Sequence, residues 1–165
     1  MHGNHSLLPN EKLARQMHAN LTRVGGVRYN AEEQAFAEEI SGSLGVGNFV
    51  GMEKEILRFE LRQGMGSTDV GDVSWVVPTV GLRTSTWVPG TAPHSWQAIA
   101  AGGTSIGTKG MRVAAKALSL TARDLLLDPT LIEAGRREFD RRRGEDFHYK
   151  ALLGDREPPL AYRIK

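Results

Sequence analysis

Apolar residues recur at helical spacing near both ends of the chain and run together or alternate in its middle. After Pro9-Asn10-Glu11, Leu13, Met17, Leu21 and Val24 follow at intervals of four, four and three. That spacing puts them on one face of a helix, which Gly25-Gly26 ends. Asn30 with Glu33 three residues later is a capping-box pattern, opening a second helix with Phe36 and Ile40 inward. Joined by a glycine turn, the two helices are expected to be antiparallel neighbours. Gly42, Gly45, Gly47 and Gly51 then mark a flexible loop without the spacing or following lysine of a phosphate loop.

The period changes in the middle. Between 53 and 63, Leu57, Phe59 and Leu61 alternate with Arg58, Glu60 and Arg62, predicting a half-exposed strand. Residues 73–80 are apolar and β-branched, and 82–88 follow with Thr84, Ser85, Thr86 and Trp87. These predict two strands separated by Gly81, the first buried on both faces. A short segment, 95–101, leads to Gly102-Gly103. Residues 108–127 carry the strongest helical pattern, with Met111, Ala115, Leu118, Ala122 and Leu125 marking an inward face. Asp128-Pro129 breaks it and starts a last helix over 129–143, since proline suits a first helical turn. Residues 1–8 read as a polar start, and 144–165 as a polar tail packed loosely over the domain. No internal repeat is visible. The order predicts one α/β domain over 1–165, with helices packed on a mixed sheet.

Composition narrows the function. At 165 residues the chain is long enough for one domain with a core. Its 21 basic and 19 acidic residues leave a formal charge of +2, so a pI near 9.1 overstates how basic the surface is. Arg136, Arg137, Arg141, Arg142 and Arg143 are interleaved with Glu133, Glu138, Asp140, Glu145 and Asp146, while Phe139 faces in. Mixed signs at helical spacing predict a solvated, salt-bridged face and no nucleic-acid partner. The absence of cysteine excludes disulfides, thiolate metal sites and cysteine nucleophiles. No signal-peptide pattern is seen, and no apolar run approaches the roughly 20 residues of a membrane-spanning helix. No membrane partner is expected, and the cytoplasm is the expected location.

Candidate chemistry concentrates between 64 and 96. His94, in a loop bent by Pro89, Gly90 and Pro93, is the candidate metal ligand; alternatively it hydrogen-bonds a backbone carbonyl. Asp69 and Asp72 lie three apart in a glycine-rich turn. They are candidates to bind a metal or orient a metal-bound histidine, or else to cap a turn. Ser67 and Thr68 offer hydroxyls and N–H groups to a substrate carboxylate or oxyanion. Gly66-Ser67-Thr68 is no nucleophile elbow. His2, His5, His18 and His148 have no ligand spacing among themselves.

The run Gly66-Ser67-Thr68-Asp69-Val70-Gly71-Asp72-Val73-Ser74-Trp75-Val76-Val77-Pro78-Thr79 resembles a segment of the two-metal amidohydrolase and peptidase family. That family includes aminoacylase, carboxypeptidase G and the auxin-conjugate hydrolases; the likeness is greatest to its aminobenzoyl-glutamate hydrolases. It continues through Gly90-Thr91-Ala92-Pro93-His94-Ser95-Trp96-Gln97, Lys109-Gly110-Met111, Asp124-Leu125-Leu126, Asp128-Pro129 and, upstream, Leu8-Pro9-Asn10. The resemblance implies the C-terminal portion of a metallo-amidohydrolase catalytic domain, without its N-terminal catalytic half and lid domain. It puts His94 in place of the family's final metal-binding histidine, and Ser67, Thr68, Asp69 and Asp72 along the pocket. It implies zinc or manganese in the full-length family, and amide substrates of the N-acyl amino acid or aminobenzoyl-glutamate type. The chain has no His-x-Asp pair, and its Glu32-Glu33 and Glu38-Glu39 pairs have no ligand pattern around them. By itself it is therefore expected to be inactive and to hold no metal tightly. The implied partner is the missing half or a second copy. The alternative is a non-catalytic α/β module that binds a protein partner or a carboxylate ligand.

Overall fold

Helix ends show most directly how this sequence folds. The computed structural model describes residues 3–61, 68–152, 154, 157 and 160. Among them run α1 (Glu11–Val24), α2 (Ala31–Gly42), α3 (Val70–Ser74), α4 (Trp96–Gly102), α5 (Ser105–Leu127) and α6 (Pro129–Arg143), with a short 3-10 turn at Met52–Lys54. The Asn10 side chain accepts the Leu13 N–H at the start of α1 and donates to the Gly135 carbonyl of α6 at 2.7 Å. The buried Glu138 of α6 accepts the Lys12 N–H at 2.8 Å and the Arg142 Nε at 2.7 Å. A carboxylate at a helix N-terminus meets unpaired N–H groups and the positive end of the dipole, so α6 supplies the second cap of α1. The capping box of α2 forms with Asn30 and Glu33 in the expected roles.

α1 lies against α5 and α6, and α4 packs on α5. The α1–α5 contact is polar at its centre. Asn20, almost fully buried, donates to Thr121 Oγ1 at 3.2 Å and Asp124 Oδ2 at 2.8 Å, and Gln16 donates to the same carboxylate oxygen at 2.7 Å. A separate apolar cluster joins Ala37 and Ile40 of α2, Val88, Ala101 of α4 and Ile106 of α5.

Among the described residues there is no strand and no sheet, which overturns the α/β expectation. The 53–63 segment begins in the 3-10 turn and continues irregularly; its last two residues lie outside the described ones. The first residues of 73–80 belong to α3 and the turn after it, and 82–88 pairs with no other segment. A short apolar run does not distinguish strand from helix, and alternation reports an extended backbone rather than a partner. The remaining differences are local. α1 and α2 make at most marginal contact: α1 lies along α5 and α6, whereas α2 reaches α5 through Glu33, Ala37 and Ile40. α5 starts three residues earlier than its apolar pattern, since Thr104 caps it. Its inward face is Ile106, Gly107, Gly110, Ala117 and Thr121, whereas Met111 and Leu118 are exposed. Small and polar residues admit close neighbours on that side: a Cβ at Gly110 would lie 2.2 Å from the Ser85 carbonyl oxygen.

These contacts can be tested by mutation and by acid. Asn20→Ala should destabilise the fold by about 1–3 kcal/mol in urea unfolding, because it removes a buried side chain that bonds Thr121 and the half-buried Asp124. At Glu33 and Glu138 burial alone would raise the carboxyl, but hydrogen bonds and a nearby cation outweigh it and hold each below the ordinary 4.5. At Asp124 the Asn20 bond, helped by Gln16 and opposed by burial, holds the carboxyl below 3.8. A carboxyl depressed on folding stabilises the fold above its unfolded value, and that contribution is lost as pH falls through the folded value. Urea midpoints should therefore drop as pH is lowered below those ordinary values, and Glu138→Gln should weaken the dependence.

Candidate functional site

His94 occupies the turn between a buried residue and a helix. Val88 is fully buried, the Thr91 N–H returns to the Val88 carbonyl at 3.2 Å, and Ser95 caps α4 by accepting the Ala98 N–H. The Ser95 hydroxyl also donates to the Ala92 carbonyl at 2.7 Å, closing the Ala92–Ser95 turn. Inside it His94 has φ of 60°, the one non-glycine residue in the left-handed region among the described residues. Histidine enters that region more readily than most side chains, yet such a backbone is uncommon and often serves a site. The imidazole is exposed, and no hydrogen bond to it is found among the described residues. The carbonyl-bonded alternative is thus not realised.

Pro93, next to His94, lines the wall of a half-open groove of about 1320 Å³. It is lined by Met17, His18 and Leu21 of α1 and by the stretches around Ile56–Leu61 and Thr79–Gly90. His18 Nε2 is 2.9 Å from the Leu57 carbonyl oxygen, and Phe59 packs edge-on against the His18 ring under the Arg15 guanidinium. Thr84 Oγ1 donates to the Gly110 carbonyl at 3.0 Å and holds the other stretch against α5. Among the described residues, the backbone N–H groups of 79–87 donate to no other backbone group. Apolar side chains are exposed around this groove, among them Leu57, Leu61 and Trp87.

Thr68, Asp69 and Asp72 belong to the start of α3; Ser67 lies outside the described residues. Thr68 Oγ1 accepts the Val70 N–H at 3.3 Å, and the Thr68 carbonyl accepts the Gly71 N–H, so Thr68 shapes the turn. Asp69 stands at the cap position without a side-chain capping bond, and is exposed. Asp72 accepts the Tyr149 hydroxyl at 3.2 Å; burial first, and then this carboxylate, raise the Tyr149 phenol above its ordinary value. Among the described residues, no three His, Asp or Glu side chains gather as a metal would require. His94 is available as one ligand of a metal shared with other groups, but the described donors do not hold a metal pair.

Sequence reasoning passed over two polar centres. One is Glu33 with Lys109 and Ser105, where Lys109 Nζ pairs with one carboxylate oxygen and Ser105 Oγ donates to the other at 2.6 Å. The capping box marked Glu33, and nothing local marked its partners. The other is the ring cluster of His5, Trp75, Phe147 and Tyr149, whose members are too far apart in the chain for any spacing to reveal. On α6 the arginines are largely paired: Arg136 with Asp140, Arg137 with Glu133, Arg142 with Glu138 and Arg143 with Asp140. No helix among the described residues is long and apolar enough to cross a membrane.

No protein-family model matches the chain, and no solved structure matches it either. Among curated proteins it is similar to one of the subunits of the p-aminobenzoyl-glutamate hydrolase of Escherichia coli (strain K12), with 31% identity across 81% of this chain. The aligned part covers 33% of that relative, so the chain spans about a third of the length of the protein it matches. This similarity supports kinship with the hydrolase family to which that relative belongs.

Proposed function

We propose that this chain is the C-terminal, site-completing portion of a metal-dependent amidohydrolase acting on aminobenzoyl-glutamate-like or N-acyl amino acid amides. The observation that carries the reading is the similarity to the Escherichia coli p-aminobenzoyl-glutamate hydrolase. The geometry of His94 is consistent with it: an imidazole without a hydrogen-bond partner, held by a left-handed turn beside a groove, is free to serve as a ligand. The groove, with exposed apolar side chains and N–H groups along 79–87 that donate to no other backbone group among the described residues, suits association with the remainder of such an enzyme. Zinc or manganese in the complete site would polarise the amide carbonyl and acidify a bound water. The chain's own contributions would be His94 as one ligand and Thr68, Asp69 and Asp72 along the pocket.

The second reading is a non-catalytic module binding a protein partner or a carboxylate ligand. The incomplete donor set favours it for the isolated chain. Calorimetry tests whether the chain alone holds a metal. The chain alone should bind zinc or manganese weakly or not at all; binding tighter than about micromolar, lost in His94→Ala, would mean that it builds a site by itself or across a dimer.

The decisive experiment supplies the rest of the enzyme. Mixed with or fused to the complementary two-thirds of the Escherichia coli relative, the chain should support metal-dependent hydrolysis of p-aminobenzoyl-glutamate. His94→Ala should nearly abolish turnover, since a direct metal ligand is lost. Asp69→Asn or Asp72→Asn should cost about 10–100-fold if those carboxylates orient a ligand. A folded, active assembly indifferent to His94→Ala would overturn the role given to that residue.

A further inference from the structure

α3 is five residues long and packs on no other helix beyond marginal contact, yet Gly71 and Ser74 on it are buried. Two segments meet it, one from before α1 and one from after α6. Residues 5–8 cross one side of the helix. The Leu8 N–H donates to Ser74 Oγ at 2.8 Å, Ser74 Oγ donates to the Gly71 carbonyl at 2.5 Å, and Trp75 Nε1 donates to the Ser6 carbonyl at 2.7 Å. The His5 carbonyl passes so close to Gly71 that a Cβ there would lie 2.0 Å from its oxygen. Residues 147–150 arrive from the other end. Tyr149 donates to Asp72, and Phe147 stacks on Trp75 with centroids 4.4 Å apart.

The His5 ring sits where these pieces meet. Its centroid is 6.0 Å from Trp75, 5.9 Å from Phe147 and 5.7 Å from Tyr149, within the range in which ring pairs attract beyond simple burial. Its Nε2 lies 3.2 Å from the Lys150 carbonyl oxygen. A carbonyl can only accept, so this contact makes Nε2 the protonated nitrogen of the ring. One side chain therefore touches both ends of the chain and a residue next to α3.

We infer that residues 5–8 and 147–150 form a clasp over α3, keyed by the His5 ring among Trp75, Phe147 and Tyr149, with His5 as a positioning residue for the helix that carries Asp72. The clasp stands on these contacts alone; its bearing on Asp72 as a pocket residue rests on the hydrolase reading above. Both arms lie outside the α1–α5–α6 body, one before α1 and one after α6, so they can open without disturbing it.

Trypsin tests this directly, because the carbonyl that accepts from His5 belongs to the Lys150–Ala151 bond that trypsin cleaves. Cleavage there follows opening of the clasp, whereas cleavage after Arg123, inside α5, follows loss of the whole fold. His5→Ala should speed cleavage after Lys150 by about tenfold and leave cleavage after Arg123 unchanged. His5→Phe, which restores a ring without the donor, should fall between. Free imidazole should slow the cleavage of His5→Gly and leave the natural chain unaffected, since only the variant has an emptied cage. A Lys150 rate in His5→Ala within about twofold of the natural chain overturns the clasp, as does an equal rise at Arg123. Failure of imidazole to protect His5→Gly overturns the keying by His5. None of these readouts requires activity, so they stand apart from the hydrolase reading. In a reconstituted active enzyme, the losses from His5→Ala and Asp72→Asn should be less than additive, as expected when one residue acts through the other.

Discussion

The Glu33 carboxylate is the constraint on which the arrangement of α2 and α5 depends. Its side chain is almost wholly buried, and a buried charge persists only when it is paired and hydrogen-bonded. It accepts the Asn30 N–H at 2.7 Å and the Ser105 hydroxyl at 2.6 Å, and it pairs with Lys109. Lys109 in turn donates to the Arg28 carbonyl at 2.9 Å. One carboxylate thus closes the cap of α2 and ties it to the first turn of α5. The cluster of Ala37, Ile40, Ala101, Ile106 and Val88 brings those two helices together with α4 and the stretch before it. Such a pair adds little net energy, since desolvation offsets the attraction, but breaking one side leaves a buried charge without its partner. Its effect is to fix one docking of the two helices.

What was legible in the sequence was local. Asn10, the Asn30–Glu33 box, Asp128-Pro129 and the glycine after Val24 act within a turn of the helix they delimit, so their spacing carries their meaning. Residues 73–80 and 82–88 were misread because β-branched composition describes what a segment prefers and not whether a neighbour exists. The inward face of α5 was misread for a related reason. Its largest side chains mark the face that is uncovered here, while the packed face uses Gly110, Ala117 and Thr121 to let other segments approach. Of the site, the exposed loop around His94 was evident from Pro89, Gly90 and Pro93, but its left-handed backbone was not. The His5 cluster had no signal, since its ring partners Trp75, Phe147 and Tyr149 are remote from it in the chain.

The described structure is a helical body with a half-furnished flank. α6 caps α1, and α1 is joined to α5 and α6 by buried polar groups, whereas the flank holding the groove carries exposed apolar side chains and a segment without a ladder. The body and the flank are held by different residues, the body by Asn10, Asn20 and Glu138 and the flank by Thr84 and Ser95. The candidate chemistry of His94 is on the second side of that division.

The close approach of Ser85 to Gly110 has a consequence for how that flank could be completed. With Ser85 seated on a residue that has no side chain, Thr84 bonded to the same helix turn and Val88 buried, the 82–88 stretch cannot slide along α5 by one position. A one-residue slip in an extended segment exchanges its two faces, so a free edge usually leaves its alignment open to error. Here the phase is fixed by the helix behind it before any other backbone arrives. A segment that paired with it would meet a stretch already anchored at Thr84, Ser85 and Val88, and more of the entropy lost on association would fall on the newcomer.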